Sequence, residues 1–343
     1  MPHIRIKGVS KYYGSVKALH NVDLGIKNGE YVVLLGPSGC GKTTLLKIIA
    51  GIVEPTSGAV SISEKDVTNV PPEERGIGFV FQNYALFPHM SALDNASYGL
   101  LARGQKPEIA KRIAAEMLGL VHLNERQDAL PRELSGGMQQ RLAMARALAT
   151  GSKLILLDEP MNALDAHIRA ELRIELRRMA KQLRLTAIHV THDQEEAMAL
   201  ADKIVIMKKG QVLQVGTPKE VYDNPANPFV AGFLGEANFL RAKFEKGRTM
   251  LLGHEIRANL SGKYIAVIRP EHLHLRKNGA SVKIIGSKRL GPFYKFDVDY
   301  QGMVLSVRTG YDRSGLSHLT FDPKNVLFFK EPEEGLEKFL AVE

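Results

Sequence analysis

The chain has a single cysteine, Cys40, so neither an internal disulfide nor a cysteine-based zinc cage can form within one copy. A reducing compartment fits that scarcity. It also lacks any run near the roughly 18 consecutive apolar residues that a membrane-spanning helix needs, since stretches such as 31–35 and 154–157 end after a few positions. The chain is therefore expected not to cross a bilayer itself. No uninterrupted apolar segment of a secretion signal opens it, because Ile4 and Ile6 alternate with Arg5 and Lys7 in strand fashion. A cytoplasmic location is the expectation. Blocks of like charge are missing too: the net charge of +9 comes from Lys and Arg interleaved with Asp and Glu, which argues against nucleic acid binding. A mildly basic surface facing anionic partners accounts for the sign.

At 343 residues the chain is too long for one ordinary domain, and its 44% apolar content is enough for real cores. Up to about residue 235, short apolar runs at 31–35, 77–81, 154–157, 187–190 and 204–207 alternate with helical patterns. That order gives a mostly parallel sheet covered by helices, an α/β fold. The texture turns helical at about 83–134, where 108–120 reads as an amphipathic helix, so a helical subdomain is inserted there. Prolines and small residues around DNPANPFVAGFLGEAN mark a second change, and alternating segments at 264–268, 294–300 and 303–307 follow. Residues 236–343 thus read as a small all-β barrel or sandwich after an α/β domain at 1–235.

The apolar run YVVLL leads into GPSGCGKT, residues 36–43, and then into the helical LLKIIAG. This is the P-loop pattern in the strand, loop, helix context it requires. Gly36, Gly39 and Gly41 let the backbone curl, with Pro37, Ser38 and Cys40 between them, so that amide N–H groups face phosphate oxygens at a helix start. Lys42 would reach the terminal phosphates, Thr43 would ligate Mg2+, and Thr44 continues the turn. Cys40, a small filler beside a helix N-terminus, is expected to be prone to alkylation. A second apolar run, LILLDEP, ends in Asp158 and Glu159, placing acids where ligands sit in open α/β sheets. Asp158 would hold the metal through water, and Glu159 would polarise the attacking water.

The segment LSGGMQQR, residues 134–141, closely resembles the signature of ABC-type ATPases. Ser135, Gly136 and Gly137 can cap an anion, and Met138, Leu142, Ala145 and Leu148 supply an apolar stripe behind them. Other positions match the same family in order over roughly residues 3–235. The resemblance makes Gln82 the glutamine that senses magnesium, His192 in VTHDQEEA the switch histidine, and Tyr13 in SKYYG the ring that stacks on adenine. It makes Asp165 in PMNALDA an aspartate that acts across a dimer. The chain departs from the family pattern at Met138, where Gln or Glu is usual, and at Asn162, where Ser is usual. His189, inside the strand before His192, is assigned to packing.

Resemblance also implies partners. ABC ATPases work as head-to-tail pairs, so a second copy would close its signature over the ATP held by the first. The segment NYALFPHMSALDNASYGL, with Ala85, Leu86 and Phe87, is similar to the stretch by which importer ATPases grip a helix of a permease subunit. Residues near FLGEANFL and VIRPEHLHL look like the transport-associated OB-type domain of those importers, with Arg269, Pro270 and Glu271 at a turn. The implied protein is an ATPase at the cytoplasmic face of the membrane, joined to two permease chains and served by an external solute-binding protein. The resemblance favours an ion or small organic ion as the solute, the alternatives being a sugar importer or a soluble ABC ATPase acting on ribosomes or nucleic acid.

Overall fold

Alternating inward apolar residues start the chain with a long antiparallel hairpin, β1 (Pro2–Tyr13) and β2 (Val16–Lys27). Then come β3 (Tyr31–Leu35), helix α1 (Lys42–Ala50), β4 (Ser57–Ile62), β5 (Lys65–Asp66) and β6 (Ile77–Val80). Helices α2 (Ala92–Ala102), α3 (Pro107–Leu120) and α4 (Gly136–Ala149) follow. Alternation resumes with β7 (Leu154–Asp158), α5 (Ala166–Gln182), β8 (Thr186–Thr191), α6 (Gln194–Leu200), β9 (Lys203–Lys208) and β10 (Gln211–Gly216). This computed structural model describes residues 2–162 and 165–341.

The five apolar runs read from the sequence are all strands of one sheet, in the order β10-β9-β3-β8-β7-β6. Its five core strands are parallel, and β10 pairs antiparallel at the edge. Every residue of β3, β7 and β8 is buried, which is why these strands read as continuous apolar runs. Parallel pairing puts the carboxyl ends of β3, β8 and β7 side by side, and the loops leaving those ends carry the candidate residues. A second, antiparallel sheet, β2-β1-β4-β5, covers α1 from the other side, so that Ile6, Leu24 and Val60 share one core with Leu45, Ile49 and Leu34. Only its first strand was legible as a strand from the sequence.

The expected amphipathic helix is α3, whose Ala110, Ala114 and Leu118 are buried. The helical part is completed by α4, which turns Leu142, Ala145 and Leu148 inward. Its buried surface is wider than the stripe expected, since Ala143, Met144 and Ala147 are buried as well. Gly137 packs close to α5, where a Cβ would lie 3.2 Å from the Ile168 side chain. Among the described residues, no helix is long and apolar enough to cross a membrane.

The chain divides into two compact units between Val221 and Tyr222, ahead of the composition change near residue 235. Packing explains the difference. The helix Pro228–Phe233 lays Ala231 against Ile265 and Val267, and Arg269 donates a hydrogen bond to the Ala231 carbonyl at 2.6 Å, so this helix belongs to the second unit. Most of the rest of that unit is β-strand, with a second short helix at Leu336–Leu340. The strands Asn238–Phe244, Gly262–Ile268 and Leu327–Lys330 form one antiparallel sheet, and Lys283–Leu290, Phe293–Tyr300 and Met303–Thr309 another. Phe244, Phe296 and Ile268 lie in a shared core between such sheets.

Candidate functional site

The loop between β3 and α1 has the form its glycines dictate. Gly39 and Gly41 take left-handed backbone angles, φ +75° and +101°, and Gly41 is the residue from which α1 starts. Close approach matters as much as angle: a Cβ on Gly36 would sit 2.4 Å from the Met207 carbonyl, and one on Gly41 would sit 2.4 Å from the Ala18 carbonyl. The loop therefore lies hard against β9 and the hairpin, with its far side free to face a ligand. Ser38, Gly39, Gly41, Lys42, Thr43 and Thr44 line a cavity of about 310 Å³ there, together with Gln82 and Glu159 from distant parts of the chain. Lys42, only 5% exposed, donates to the carbonyls of Gly36 and Pro37 at 2.7 and 2.8 Å.

Across from it, the Thr43 hydroxyl donates to Asp158 Oδ1 at 2.8 Å. Burial pushes the Asp158 carboxyl above its usual range, against the opposing pull of that hydrogen bond. A cation beside it would relieve the cost of a buried charge. Glu159 sits on a left-handed turn, φ +45°, with its N–H donating to the Val190 carbonyl at 3.0 Å. Such a backbone costs free energy for a side-chain-bearing residue and marks a position held by its surroundings. Those surroundings are specific: Gln82 donates to Glu159 Oε2 at 3.3 Å, Asn162 donates to the same oxygen at 3.1 Å, and His192 Nδ1 lies 3.5 Å from Oε1. Thr43 thus ties the P-loop to Asp158, and Glu159 draws Gln82, Asn162 and His192 together.

The remaining expected residues stand outside this cavity. Tyr13 is half exposed at the end of β1, with the Lys11 ammonium 5.1 Å from its ring centre, so it is a surface ring and not a core tyrosine. Ser135 and Gly136 are exposed at the start of α4, where the Ser135 hydroxyl accepts from Met138 N at 3.4 Å. Asp165 caps α5 by accepting from His167 N and Ile168 N at 3.1 and 3.0 Å. Ala163 and Leu164, in the middle of PMNALDA, lie outside the described residues.

Two expectations need correction. Cys40 is 4% exposed, and burial pushes its thiol above the ordinary range although Lys42 is nearby, which is the reverse of alkylation-prone activation. His189 does more than pack: its Nδ1 is 2.9 Å from the Tyr31 hydroxyl and its Nε2 is 3.6 Å from Glu196 Oε2, all three residues being buried. Burial works against the Glu196 charge, but hydrogen bonding and charge from His189 outweigh it and hold this carboxyl below its usual range. The network ties β3 and β8 to α6, the helix that follows His192.

Sequence reasoning missed other contributors. Asn95, fully buried on α2, accepts from Phe87 N and donates to the carbonyls of Phe87, Met90 and Ser91 at 2.9 to 3.1 Å. Arg146 on α4 donates to the carbonyls of Tyr84 and Ala85, both left-handed at φ +60° and +46°, and lies over the Phe87 ring at 5.4 Å. Together they shape a groove of about 320 Å³ lined by Phe79, Phe81 and Phe87, which are partly buried, and by the exposed Ala85 and Tyr98. An Asn inside a helix and an Arg on the signature helix were the available signals, but neither carries a motif.

A family model described as ABC transporter matches residues 19–162. Over 296 residues the chain is 45% identical to the sulfate/thiosulfate import ATP-binding protein CysA of Bacillus cereus, covering 83% of this chain and 82% of that protein. It is 40% identical to the spermidine/putrescine import ATP-binding protein PotA of Haemophilus influenzae, covering 97% and 90% of the two chains. Identity is 42% with the Fe(3+) ions import ATP-binding protein FbpC of Brucella abortus, covering 86% and 87%. Among solved structures, a dimeric ATP-binding cassette in a post-hydrolysis state with ADP and Pi is similar at a TM-score of 0.57 and 35% identity, covering 63% of this chain and 98% of that one. With Gln82 and Glu159 lining the P-loop cavity, Asp158 bonded to Thr43, His192 beside Glu159 and relatives of this kind along most of its length, the chain belongs to the family of ABC transporter import ATP-binding proteins.

Proposed function

We propose that the chain is the ATP-hydrolysing subunit of an importer for an ion or small organic ion, bound to the inner face of the membrane through two permease chains. The observation that carries this reading is that Lys42, Thr43, Gln82 and Glu159 line one cavity of about 310 Å³, with Asp158 hydrogen-bonded to Thr43 and His192 beside Glu159. The residues fit nucleotide and metal: glycines where a Cβ would collide, amides at a helix start for phosphates, and hydroxyl, amide and carboxylate oxygens for a hard cation. Thr43 and Gln82, with Asp158 acting through water, would hold Mg2+, which would neutralise charge that builds up during transfer. Lys42 binds the terminal phosphates, and Glu159 accepts the proton of the attacking water. Gln82, Asn162 and His192 keep the Glu159 carboxylate in place.

Ser135, Gly136 and Gly137 stand at an open helix start away from this cavity, which supports a second copy as the source of the missing wall. Tyr13 would stack on adenine, and Asp165 would act across the pair. ATP then favours the closed pair because it binds that state better than the open one, and hydrolysis releases it. The groove of Ala85, Phe87 and Tyr98 would take an apolar helix of the permease, passing closure to the channel. A solute-binding protein outside the cell would deliver the cargo, and the names of the relatives support sulfate, polyamines or iron as its class.

The test is Glu159→Gln, which keeps the hydrogen-bonding shape but cannot take the proton. Phosphate release should fall roughly 100-fold or more, and light scattering should find a stable pair in Mg-ATP. Normal turnover in that variant would overturn the assignment of Glu159, and a strictly single protein at saturating Mg-ATP would overturn the paired mechanism.

A further inference from the structure

Tyr31, His189 and Glu196 are titratable residues buried in the first unit, at 2%, 0% and 3% exposure, and none of them lines the phosphate cavity. Taking three such groups out of water costs free energy, and apolar side chains of similar volume would pack there without that cost. A hydrogen-bonded network in the interior rigidifies the elements it joins. Here those elements are β3, β8 and α6, and the last residues of β8 lead directly into His192.

Side chains of a strand alternate between the two faces of its sheet. In β8, Ile188 and Val190 enter the core shared with α1, while His189 and Thr191 fall on the face toward α6. Glu196 of α6 meets both: its Oε2 is 3.6 Å from His189 Nε2, and its carboxylate is hydrogen-bonded to the Thr191 hydroxyl. Thr191 Oγ1 accepts in turn from Asp193 N at 3.0 Å, and Asp193 Oδ1 accepts from the N–H groups of Glu195 and Glu196 at 2.8 and 3.1 Å. His192 stands between these two anchored residues, its Nδ1 3.5 Å from Glu159 Oε1, and the Val190 carbonyl accepts from Glu159 N at 3.0 Å. Residues 189–192 thus alternate between the buried network and Glu159. Burial, with the Glu196 charge adding to it, pushes the Tyr31 phenol well above its usual range, so it remains a hydroxyl 2.9 Å from His189 Nδ1. Whether Nδ1 accepts from that hydroxyl or, on a charged ring, donates to it, Nε2 keeps a hydrogen toward the Glu196 carboxylate.

We propose, resting on the roles assigned to His192 and Glu159, that Tyr31, His189 and Glu196 are positioning residues of ATP hydrolysis: they fix the turn of Thr191, His192 and Asp193 so that the His192 ring stays beside Glu159. Such a seat matters because a misplacement of about 1 Å at the reacting centre can cost about 100-fold in rate. A double-mutant cycle on the full chain separates positioning from general stability. Glu196→Gln keeps the side-chain shape and removes the charge, and it is made in the parent and in His192→Ala, with phosphate release followed in single turnovers at saturating Mg-ATP. In the parent it should slow release about tenfold while ATP affinity stays within about twofold. In His192→Ala the same substitution should change the rate by less than about twofold, because no ring remains to be positioned. Tyr31→Phe, which removes one hydroxyl, repeats the cycle should Glu196→Gln not fold, with a loss of about threefold expected in the parent and none without His192. NMR of histidine-labelled Tyr31→Phe protein needs no turnover: the His192 ring signals should move, although Tyr31 pairs with Ala187, well before His192 in the chain. Full turnover in His192→Ala would overturn the role of His192 and the inference with it. Equal losses with and without His192, no loss in the parent, or unmoved His192 signals would each overturn the inference alone and leave the hydrolytic assignment standing.

Discussion

Single residues in this chain do their work through strained or buried positions that neighbours enforce. Glu159 is the clearest case, a left-handed carboxylate kept in place by an amide, a second amide and an imidazole from three loops. Asp202 is another: its Oδ2 accepts from Tyr31 N at 2.9 Å, and the Arg177 guanidinium hydrogen-bonded to it holds its carboxyl below the usual range. The folded chain therefore binds a proton at Asp202 less readily than the unfolded chain does. The stability this confers is complete above the ordinary carboxylate pKa, about 4, and drains away as pH falls through the lower folded value. Asp202→Asn should accordingly flatten the acid limb of a denaturation profile below about pH 4 while changing its shape little near neutrality. An acid limb identical to that of the parent would show that the pair is not coupled to folding.

At the scale of elements, the segment from Gln82 to α2 shows how a loop becomes a docking surface. Consecutive left-handed residues at Tyr84 and Ala85 would not persist on their own, and Arg146 from α4 holds both carbonyls. Asn95 fixes the next turn with four hydrogen bonds, leaving Phe87 half-buried against Tyr98 at 4.4 Å. Phe87→Ala should leave nucleotide affinity within about twofold while solute uptake by reconstituted vesicles drops by an order of magnitude, since the groove lies apart from the phosphate cavity. Unchanged uptake would remove the groove from the coupling path. The sequence indicated the position of this segment through LFPHM and its neighbours, but not its shape, because the clamps come from α2 and α4, and Arg146 on α4 is 61 residues from Ala85.

The whole molecule has two compact units, each with its own core. Separate cores allow separate unfolding, so calorimetry of the full chain should resolve two transitions. Mg-ATP should raise only the transition of the first unit, by about 2.7 kcal/mol of stabilisation at a nucleotide concentration of 100 Kd. A single transition shifted as one by nucleotide would mean that the two units unfold as a single cooperative body. The placement of the unit boundary at Val221 and Tyr222 also lives at this scale, because it depends on Ala231 and Arg269 joining a helix to the second unit.

Reading the residues in order was enough to locate the buried strands, the phosphate loop, the signature helix and the β character of the last hundred or so residues. Those features are written in local period and in short fixed spacings, which adjacent residues carry between them. Folding in three dimensions decided what pairs with what: Thr43 with Asp158 over 115 positions, Gln82 with Glu159 over 77, Tyr31 with His189 over 158. It also decided that Cys40 is shielded, that His189 is part of a polar network and that a second sheet covers α1. The physical reason is that a hydrophobic period specifies which face of an element is buried, whereas hydrogen-bond partners and charge environments depend on register and packing between elements far apart in the chain.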